Sequence, residues 1–484
     1  MIIWDTPTTI RFVEPDKQKM ALVKASLTYT NKSVDYMIRQ LKKARWFDAA
    51  RHAERLEDLQ AARRVCLLSE DGDSYVTHAG LATDVDQILH QGIENRIYYP
   101  ARQTIPWAEV PPDLRPYQQE TVDLFLDKKH AAAEMATGLG KSYIILHLAK
   151  ILGLKTIIMA PTTSIADQLY ADFTRFLGKK YVGRFYGGKK DSTKLCTVAI
   201  HASLARIPRD SPDYLALSSA QAFIADESHL TPAASLKEVC MGLASQAPYR
   251  FFLSGTQLRA DGSDLLLRGI TGPILKRMTV ADGVAQGYLA APRFRIFPVT
   301  SDDSYSTSDA LRMTQRHFYY NQAIIRKATA LANFAVTRMN HQVLIAIEEI
   351  EQFRDIVPHL TAQYKFASGN ITKDNLKYVP EEHRNGDNTQ IVADFNAGKF
   401  PILIGTSAIG MGTDIRPVKT IINLTGGKSE VQIRQLVGRG TRKVEGKTEC
   451  MVFDFDVVNV PMLHRHAEDR MGVYADIYPD VETM

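Results

Sequence analysis

Cysteine is scarce in this chain: there are four in 484 residues, at Cys66, Cys196, Cys240 and Cys450, with no paired spacing. That argues against a disulfide framework and a zinc site, and it suits a reducing compartment. An excess of one charge is also lacking. Fifty-nine basic residues face 54 acidic ones, for a net charge of +5. This permits a nucleic-acid partner without arguing for one, because local clustering matters more than the total. No long hydrophobic run is present. The most apolar stretch, Tyr143 to Pro161, is broken by His147, Lys150 and Lys155 and is too interrupted to span a bilayer. The start, Met1-Ile2-Ile3-Trp4-Asp5, shows no basic segment followed by an apolar one, so no targeting signal is read there. A soluble cytoplasmic protein with no membrane partner is expected. No short-period repeat is found. What remains is an ordinary globular composition, 45% hydrophobic and 23% charged. At roughly 100–200 residues per domain, the chain is too long for one core and should form two to four domains.

Prolines cluster at Pro106, Pro111, Pro112 and Pro116, which reads as a linker and places a boundary near residue 105. Before it, Val34 to Ala62 looks helical. Arg63 to Tyr75 looks like a hairpin strand with its turn at Glu70-Asp71-Gly72-Asp73. After it, short apolar runs at Thr156–Ala160, Ala222–Ala225 and Arg250–Leu253 each lead into polar residues, as expected of parallel strands covered on both faces. Ligands of such sheets bind beyond the carboxyl ends of the strands. A second set, Val343–Ile347, Pro401–Gly405, Thr420–Leu424 and Cys450–Asp454, predicts a second α/β unit without a phosphate loop of its own. Ser301 to Asp309 is polar and reads as a mobile connection, and Gly369 to Asn388 as a long surface loop.

The strongest motif is Met135-Ala136-Thr137-Gly138-Leu139-Gly140-Lys141-Ser142, between a polar segment and the apolar run Tyr143–Leu146. A glycine-rich loop that turns into a helix gathers backbone N–H groups and the positive helix end at one point, which suits a phosphate. Lysine there reaches the β- and γ-phosphates, and the adjacent hydroxyl ligates Mg²⁺. Met135 stands where the strict pattern wants glycine. Asp226-Glu227-Ser228-His229 follows a strand, so Asp226 can hold Mg²⁺ and Glu227 can orient and deprotonate a water. Ser254-Gly255-Thr256 and Gly410-Met411-Gly412-Thr413-Asp414 follow other strands and read as ordinary turns when taken alone. In Gln435-Leu436-Val437-Gly438-Arg439-Gly440-Thr441-Arg442, positions i, i+4 and i+7 put Gln435, Arg439 and Arg442 on one helix face. Arginine there can stabilise transition-state charge at a γ-phosphate.

In this order the motifs resemble those of superfamily 2 helicases, over about residues 113 to 470. Arg115-Pro116-Tyr117-Gln118 looks like the adenine-reading motif, with Gln118 as the base contact. Ala136–Ser142 is similar to motif I, Ala160-Pro161-Thr162 to motif Ia and Asp226–His229 to a DExH motif II. Ser254–Thr256 is similar to motif III, Thr406–Asp414 to motif V and Gln435–Arg442 to motif VI. The details look closest to the group containing UvsW, XPB and RadD. Gly287-Tyr288-Leu289-Ala290-Ala291-Pro292 resembles the segment joining its two lobes. Leu258–Gly262 resembles its charged element after motif III, with Ala260 as a departure, and the tail around His466, Arg470 and Tyr474 also fits.

The resemblance implies an α/β fold: two tandem RecA-like parallel-sheet lobes, at 106–287 and 288–484, after a small α+β substrate-binding domain at 1–105. It implies ATP and Mg²⁺ as cofactors, with Mg²⁺ at Ser142 and Asp226. Gln118, Thr137, Gly138, Gly140, Lys141, Ser142 and Asp414 would bind nucleotide, and Lys141, Asp226, Glu227, Arg439 and Arg442 would act in catalysis. His229, Ser254, Thr256 and Gln435 would couple the site to motion, and Thr162 and Thr406 would touch a nucleic-acid backbone. The expected activity is that of an ATP-dependent DNA helicase or translocase on forked, branched or duplex DNA, in recombination and repair. It would act as a monomer in a bacterial or phage-infected cytoplasm. The rivals are an RNA helicase, a restriction motor subunit, for which no nuclease constellation is visible, and a nucleotide-gated binding protein without hydrolysis. Basic residues crowd positions 17–64, with Tyr29, Tyr36, Trp46 and Phe47 interleaved. They read equally as a surface for duplex or branched DNA and as a solvated helix whose aromatics lie in the core.

Overall fold

The computed structural model describes residues 1–13, 15–43, 52–230, 233–256, 263–368, 376–379, 388–406 and 415–484. Its contacts divide into two compact units: residues 1–135 with 140–277, and residues 136–139 with 278–484. Among the described residues, no helix is long and apolar enough to cross a membrane.

The first unit begins with a five-stranded sheet in the order Ser69–Asp71, Ser74–His78, Thr9–Phe12, Ile2–Trp4, Ile93–Asn95. Helices pack beside it. Asp16 starts the helix Lys17–Ser26 by accepting from the backbone N–H groups of Gln18 and Lys19 at 2.8 and 3.2 Å. The helix Lys32–Lys43 buries Val34, Ile38 and Leu41, spaced to share one face. The predicted helix over 34–62 is represented by Lys32–Lys43 and Ala53–Arg63, while Arg45, Trp46, Phe47 and Arg51 lie outside the described residues. The expected hairpin forms between Ser69–Asp71 and Ser74–His78, but Arg64–Cys66 pairs instead with Thr28–Thr30 in a small separate sheet. Tyr36 is exposed rather than in the core.

A seven-stranded sheet follows, ordered Val182–Phe185, Cys196–Ile200, Thr156–Ala160, Ala222–Asp226, Tyr249–Ser254, His130–Met135, Ile274–Met278. The pairings from Val182–Phe185 through His130–Met135 are parallel. The segment before the phosphate loop, read as polar, is therefore the strand His130–Met135, in which Ala131, Ala132 and Ala133 are fully buried. Alanine favours helix over strand, and burial between strands overrides that preference. The proline-rich stretch is docked rather than loose. Gln103 N–H donates to Leu152 O and Ala108 N–H to Phe176 O, both at 2.8 Å, and Trp107 packs edge-on against His147.

The small sheet domain is fastened to this lobe by the helix Asp264–Thr271. Leu265 and Leu266 pack on the domain's core, and Arg268 pairs with Asp84 at 2.6 Å. Two histidines lie nearby, His130 buried and His78 half-buried. His130 meets the Trp4 ring and makes a 3.0 Å hydrogen bond with Ile270 O. Burial, then the Arg250 charge, push its pKa down to about 3, and burial with Lys237 pushes that of His78 down to about 4. Both are neutral when folded, whereas an unfolded histidine takes up a proton below about pH 6.5. Stability is then present above about pH 6.5 and is lost as pH falls toward the folded values. Between pH 7 and pH 5, each histidine should cost the first unit about 2 kcal/mol. Urea unfolding followed across that range should show the loss, and His130→Gln should remove its share of the slope.

The second unit holds another seven-stranded sheet, ordered Tyr364–Ala367, Ile402–Thr406, Gln342–Ile347, Val418–Leu424, Glu449–Val457, Ala291–Val299, Val481–Thr483. Its neighbouring strands all pair in parallel. Alternation along each strand divides the core between two faces. Val343, Ile345, Ile402, Ile404, Phe453 and Phe455 join one apolar cluster, while Leu344, Leu403, Ile421 and Val452 join another. The two RecA-like parallel-sheet lobes and the small α+β domain expected from the sequence are thus present. In the polar run from Ser301, His317 bonds to Ser301 Oγ at 2.8 Å and to Tyr305 O at 2.7 Å. Most of the expected loop at Gly369–Asn388 lies outside the described residues, as do Leu258–Gly262 and the loop Gly410–Asp414.

Candidate nucleotide site and its motif residues

The phosphate loop runs from the strand His130–Met135 into the helix Lys141–Leu152, both of the first unit. Met135 ends the strand with its side chain in the core, so the missing glycine belongs to the strand rather than to the turn. Gly140 precedes the helix at φ 76°, and a Cβ there would stand 2.6 Å from Gln118 Nε2. Glycine meets both the left-handed backbone and the close approach. Gln118 is buried, donates from Nε2 to Gly140 O at 3.2 Å and accepts from the Arg115 N–H at 2.9 Å, which fastens the adenine-type motif to the phosphate loop.

Lys141 is buried, with its Nζ 2.8 Å from Glu227 Oε1 and 3.2 Å from Met135 O. Ser142 beside it is half-buried. Asp226 ends its strand, and Glu227 turns away at φ 45°, a left-handed conformation that costs a non-glycine residue about 1–2 kcal/mol. The turn brings the Glu227 N–H to Asp226 Oδ1 at 3.0 Å. Glu227 Oε2 accepts from Gly255 N–H at 2.8 Å and from Ser254 Oγ at 3.3 Å. Ser254 Oγ also bonds to His229 Nδ1 and Thr256 O. Residues remote in sequence thus form one chain, from Lys141 through Glu227 to Ser254 and His229.

The adjacent carboxylates titrate apart. Burial would raise Glu227, but the charges of Lys141 and His229 overcome it and hold the carboxyl below its usual range. Asp226 is pushed up, first by burial and then by Glu227, with only partial relief from Lys141. One carboxylate is neutralised by lysine, and the other is poised to gain from a cation. Such a donor set, beside a helix N-terminus and the Ser142 hydroxyl, fits a triphosphate carrying a divalent ion.

Thr162 caps the helix Thr163–Leu177, accepting from Ile165 N–H at 3.4 Å. In the second unit, Thr406 is buried at a strand end, 3.2 Å from Ser368 Oγ. Asp414 lies outside the described residues. Gln435 and Arg439 occupy the helix Glu430–Gly440, and Arg442 follows, paired with Leu289 in a single antiparallel bridge. Ser429 caps that helix through Gln432 N–H at 3.5 Å. Its glycines are there for close packing: a Cβ on Gly440 would stand 2.3 Å from Cys450 Sγ, and one on Gly438 2.5 Å from Thr137 Cβ, both contacts inside the second unit. Thr137 and Gly138 belong to that unit with the rest of 136–139. Sequence reasoning gave no role to Asn423 or Asp454, which are buried beside this helix in contact with Arg470 or Tyr474. The tail motif around Arg470 and Tyr474 was the available signal.

Residues 112–259 match the family described as type III restriction enzyme, res subunit, and residues 326–444 match the helicase conserved C-terminal domain. The chain is 24% identical over 361 residues to the DNA 3'-5' translocase XPB2 of Sulfurisphaera tokodaii, covering 68% of this chain and 79% of that one. It is 21% identical over 389 residues to the ATP-dependent DNA helicase uvsW of Enterobacteria phage T4, covering 74% of each. Among solved structures, Mss116p bound to single-stranded RNA and AMP-PNP shares the fold, with a TM-score of 0.55 and 16% identity over 77% of this chain and 74% of that one. The chain belongs to the superfamily 2 helicases, related to the UvsW and XPB group, and is a nucleic-acid-dependent ATPase of that family.

Proposed function

We propose that the protein is an ATP-dependent DNA translocase or helicase that works on forked or branched DNA, in branch migration, recombination and repair. The observation that carries this reading is the buried Lys141–Glu227 pair at 2.8 Å, joined through Ser254 to His229. It is a hydrolytic centre wired to the strand ends around it. The names of the relatives, a DNA translocase and a DNA helicase, support DNA as the substrate. In this reading residues 1–105 bind substrate, 106–287 form the first motor lobe and 288–484 the second.

Gln118 reads adenine, and the loop through Thr137, Gly138 and Gly140 cradles phosphates with Lys141 and Ser142. Bound Mg²⁺ would neutralise β- and γ-phosphate charge, held by Ser142 and Asp226. Glu227 orients the attacking water and takes its proton. Lys141 leaves Glu227 for the phosphates as ATP enters, which frees the carboxylate to act as a base. Arg439 and Arg442 stabilise the charge that develops on the γ-phosphate, and Asp414 touches the nucleotide. Ser254, Thr256, His229 and Gln435 pass the loss of that phosphate to the strand ends. Thr162 and Thr406 hold the nucleic-acid backbone, so base sequence would matter little.

The test compares ATPase stimulation and strand displacement on single-stranded, duplex, forked and four-way DNA, with RNA as the control. Forked or four-way DNA should stimulate most, and stronger stimulation by RNA would replace the reading with that of an RNA helicase. A second measurement addresses the small domain. Tyr36, Lys42 and Lys43 are exposed on the helix Lys32–Lys43. Changing all three to alanine removes a stacking platform and two cations, and should weaken junction binding about tenfold or more. Basal ATPase should be unchanged, whereas equal loss of both would count against a separate substrate domain.

A further inference from the structure

The tail residues Arg470 and Tyr474 lie on the helix Pro461–Ile477, away from any motif of the hydrolytic centre. Arg470 is only 2% exposed. Its guanidinium grips Asp454 with two bonds, Nε to Oδ2 at 2.8 Å and Nη2 to Oδ1 at 3.1 Å, and Nη2 also donates to Phe455 O at 2.8 Å. The remaining nitrogen, Nη1, donates to Gly426 O at 3.3 Å and Gly427 O at 3.4 Å. Tyr474 OH donates to Asp454 Oδ2 at 2.6 Å, and Asn423 Nδ2 reaches Asp454 Oδ2 at 3.2 Å and Tyr474 OH at 3.0 Å. Asn423 Oδ1 then accepts from Thr425 N–H at 3.2 Å and from Thr425 Oγ1 at 2.7 Å.

The run from Asn423 to Gly427 is therefore held at both ends by one buried polar network. It leads into Ser429, the cap of the helix Glu430–Gly440 that carries Gln435 and Arg439. Farther along, Arg434 ties the same helix to Asp476 of the tail helix. A buried ion pair is a poor route to stability, since apolar residues of similar volume often serve as well. An apolar side chain at 470 would not donate to the carbonyls of Gly426 and Gly427. What the guanidinium adds is a fixed starting point for the arginine-bearing helix.

We propose that Arg470, with Asp454 and Tyr474, is a positioning set for Arg439 and Arg442. It touches no substrate and acts by fixing the loop Asn423–Gly427, from which starts the helix that carries Arg439 and leads into Arg442. The proposal rests on the reading of Arg439 and Arg442 as transition-state residues.

The test uses the full chain. Arg470→Lys keeps a charge opposite Asp454 but loses the planar fork that spans carboxylate and loop. Its kcat for nucleic-acid-stimulated ATP hydrolysis should fall about tenfold, because small misplacements of a catalytic group cost rate, with KM for ATP and the thermal midpoint near wild type. Thr425→Val removes a loop anchor without touching the ion pair and should lower kcat in the same direction, so the proposal stays testable if Arg470→Lys does not fold. In an Arg442→Ala background, Arg470→Lys should add little further loss, since both act through one element. Wild-type kcat in both Arg470→Lys and Thr425→Val would overturn the proposal, as would a full additional loss in the Arg442→Ala background. An Arg442→Ala variant that turns over normally would instead remove the role assigned to Arg442 itself.

Discussion

Lys141→Ala should lower nucleic-acid-stimulated ATP turnover by about three orders of magnitude, the scale expected when a fixed charge aimed at the transferring phosphoryl is lost. The structure adds a second consequence. Lys141 Nζ lies 2.8 Å from Glu227 Oε1, and both side chains are buried. Removing the ammonium strands a buried carboxylate, which costs about 3–5 kcal/mol if the charge persists and less if the carboxyl takes up a proton. Thermal unfolding should therefore show a loss of stability beside the loss of turnover. The double variant Lys141→Ala with Glu227→Gln separates the two effects. It removes the stranded charge and should recover much of the stability while turnover stays lost. A Lys141→Ala protein that hydrolyses ATP at the wild-type rate would refute the role given to the lysine.

Glu227→Gln should separate binding from hydrolysis. The amide keeps the size of the side chain, and its single oxygen can still accept from Gly255 N–H, now 2.8 Å from Oε2, once Lys141, now 2.8 Å from Oε1, has moved to the phosphates. The left-handed turn at φ 45° and the neighbouring Asp226 are left in place. Only the base is lost, so turnover should fall about 10²–10⁴-fold, the range for removing a positioned general base. Affinity for ATP, read by titration of a fluorescent analogue, should stay within a few-fold of wild type. The variant would then hold DNA and ATP together, which a mobility assay at saturating ATP would detect. Loss of nucleotide binding in step with turnover would mean that Glu227 builds the pocket rather than activating water.

Some of this was legible residue by residue. Gly138, Gly140, Lys141 and Ser142 are adjacent in the chain, and a loop-to-helix turn needs them in that order whatever the rest of the fold does. Asp226 and Glu227 follow an unmistakable apolar strand. Gln435 and Arg439 share a helix face by spacing alone, but the helix stops at Gly440, so Arg442 is not on it as the spacing suggested and instead sits in a bridge with Leu289. The parallel strands of the second lobe were visible as apolar runs because burial on both faces leaves no polar alternation to confuse the pattern. Where the local signal was weak, the reading went astray. The strand His130–Met135 is largely alanine, and only its place inside the sheet makes it a strand.

By itself, then, the amino-acid order determined the chemistry available to this protein: a phosphate loop, an acidic strand end, and two arginines at the end of a helix, each set by neighbours within a few positions. Only the tertiary structure decided which groups meet. Lys141 and Glu227 become partners, Ser254 links Glu227 to His229, and Arg470 reaches back to the carbonyls of Gly426 and Gly427. These contacts join strands and helices far apart along the chain. Their strength comes from the burial that the packed sheets create, where a charge without a partner is costly, and local spacing carries no record of that burial.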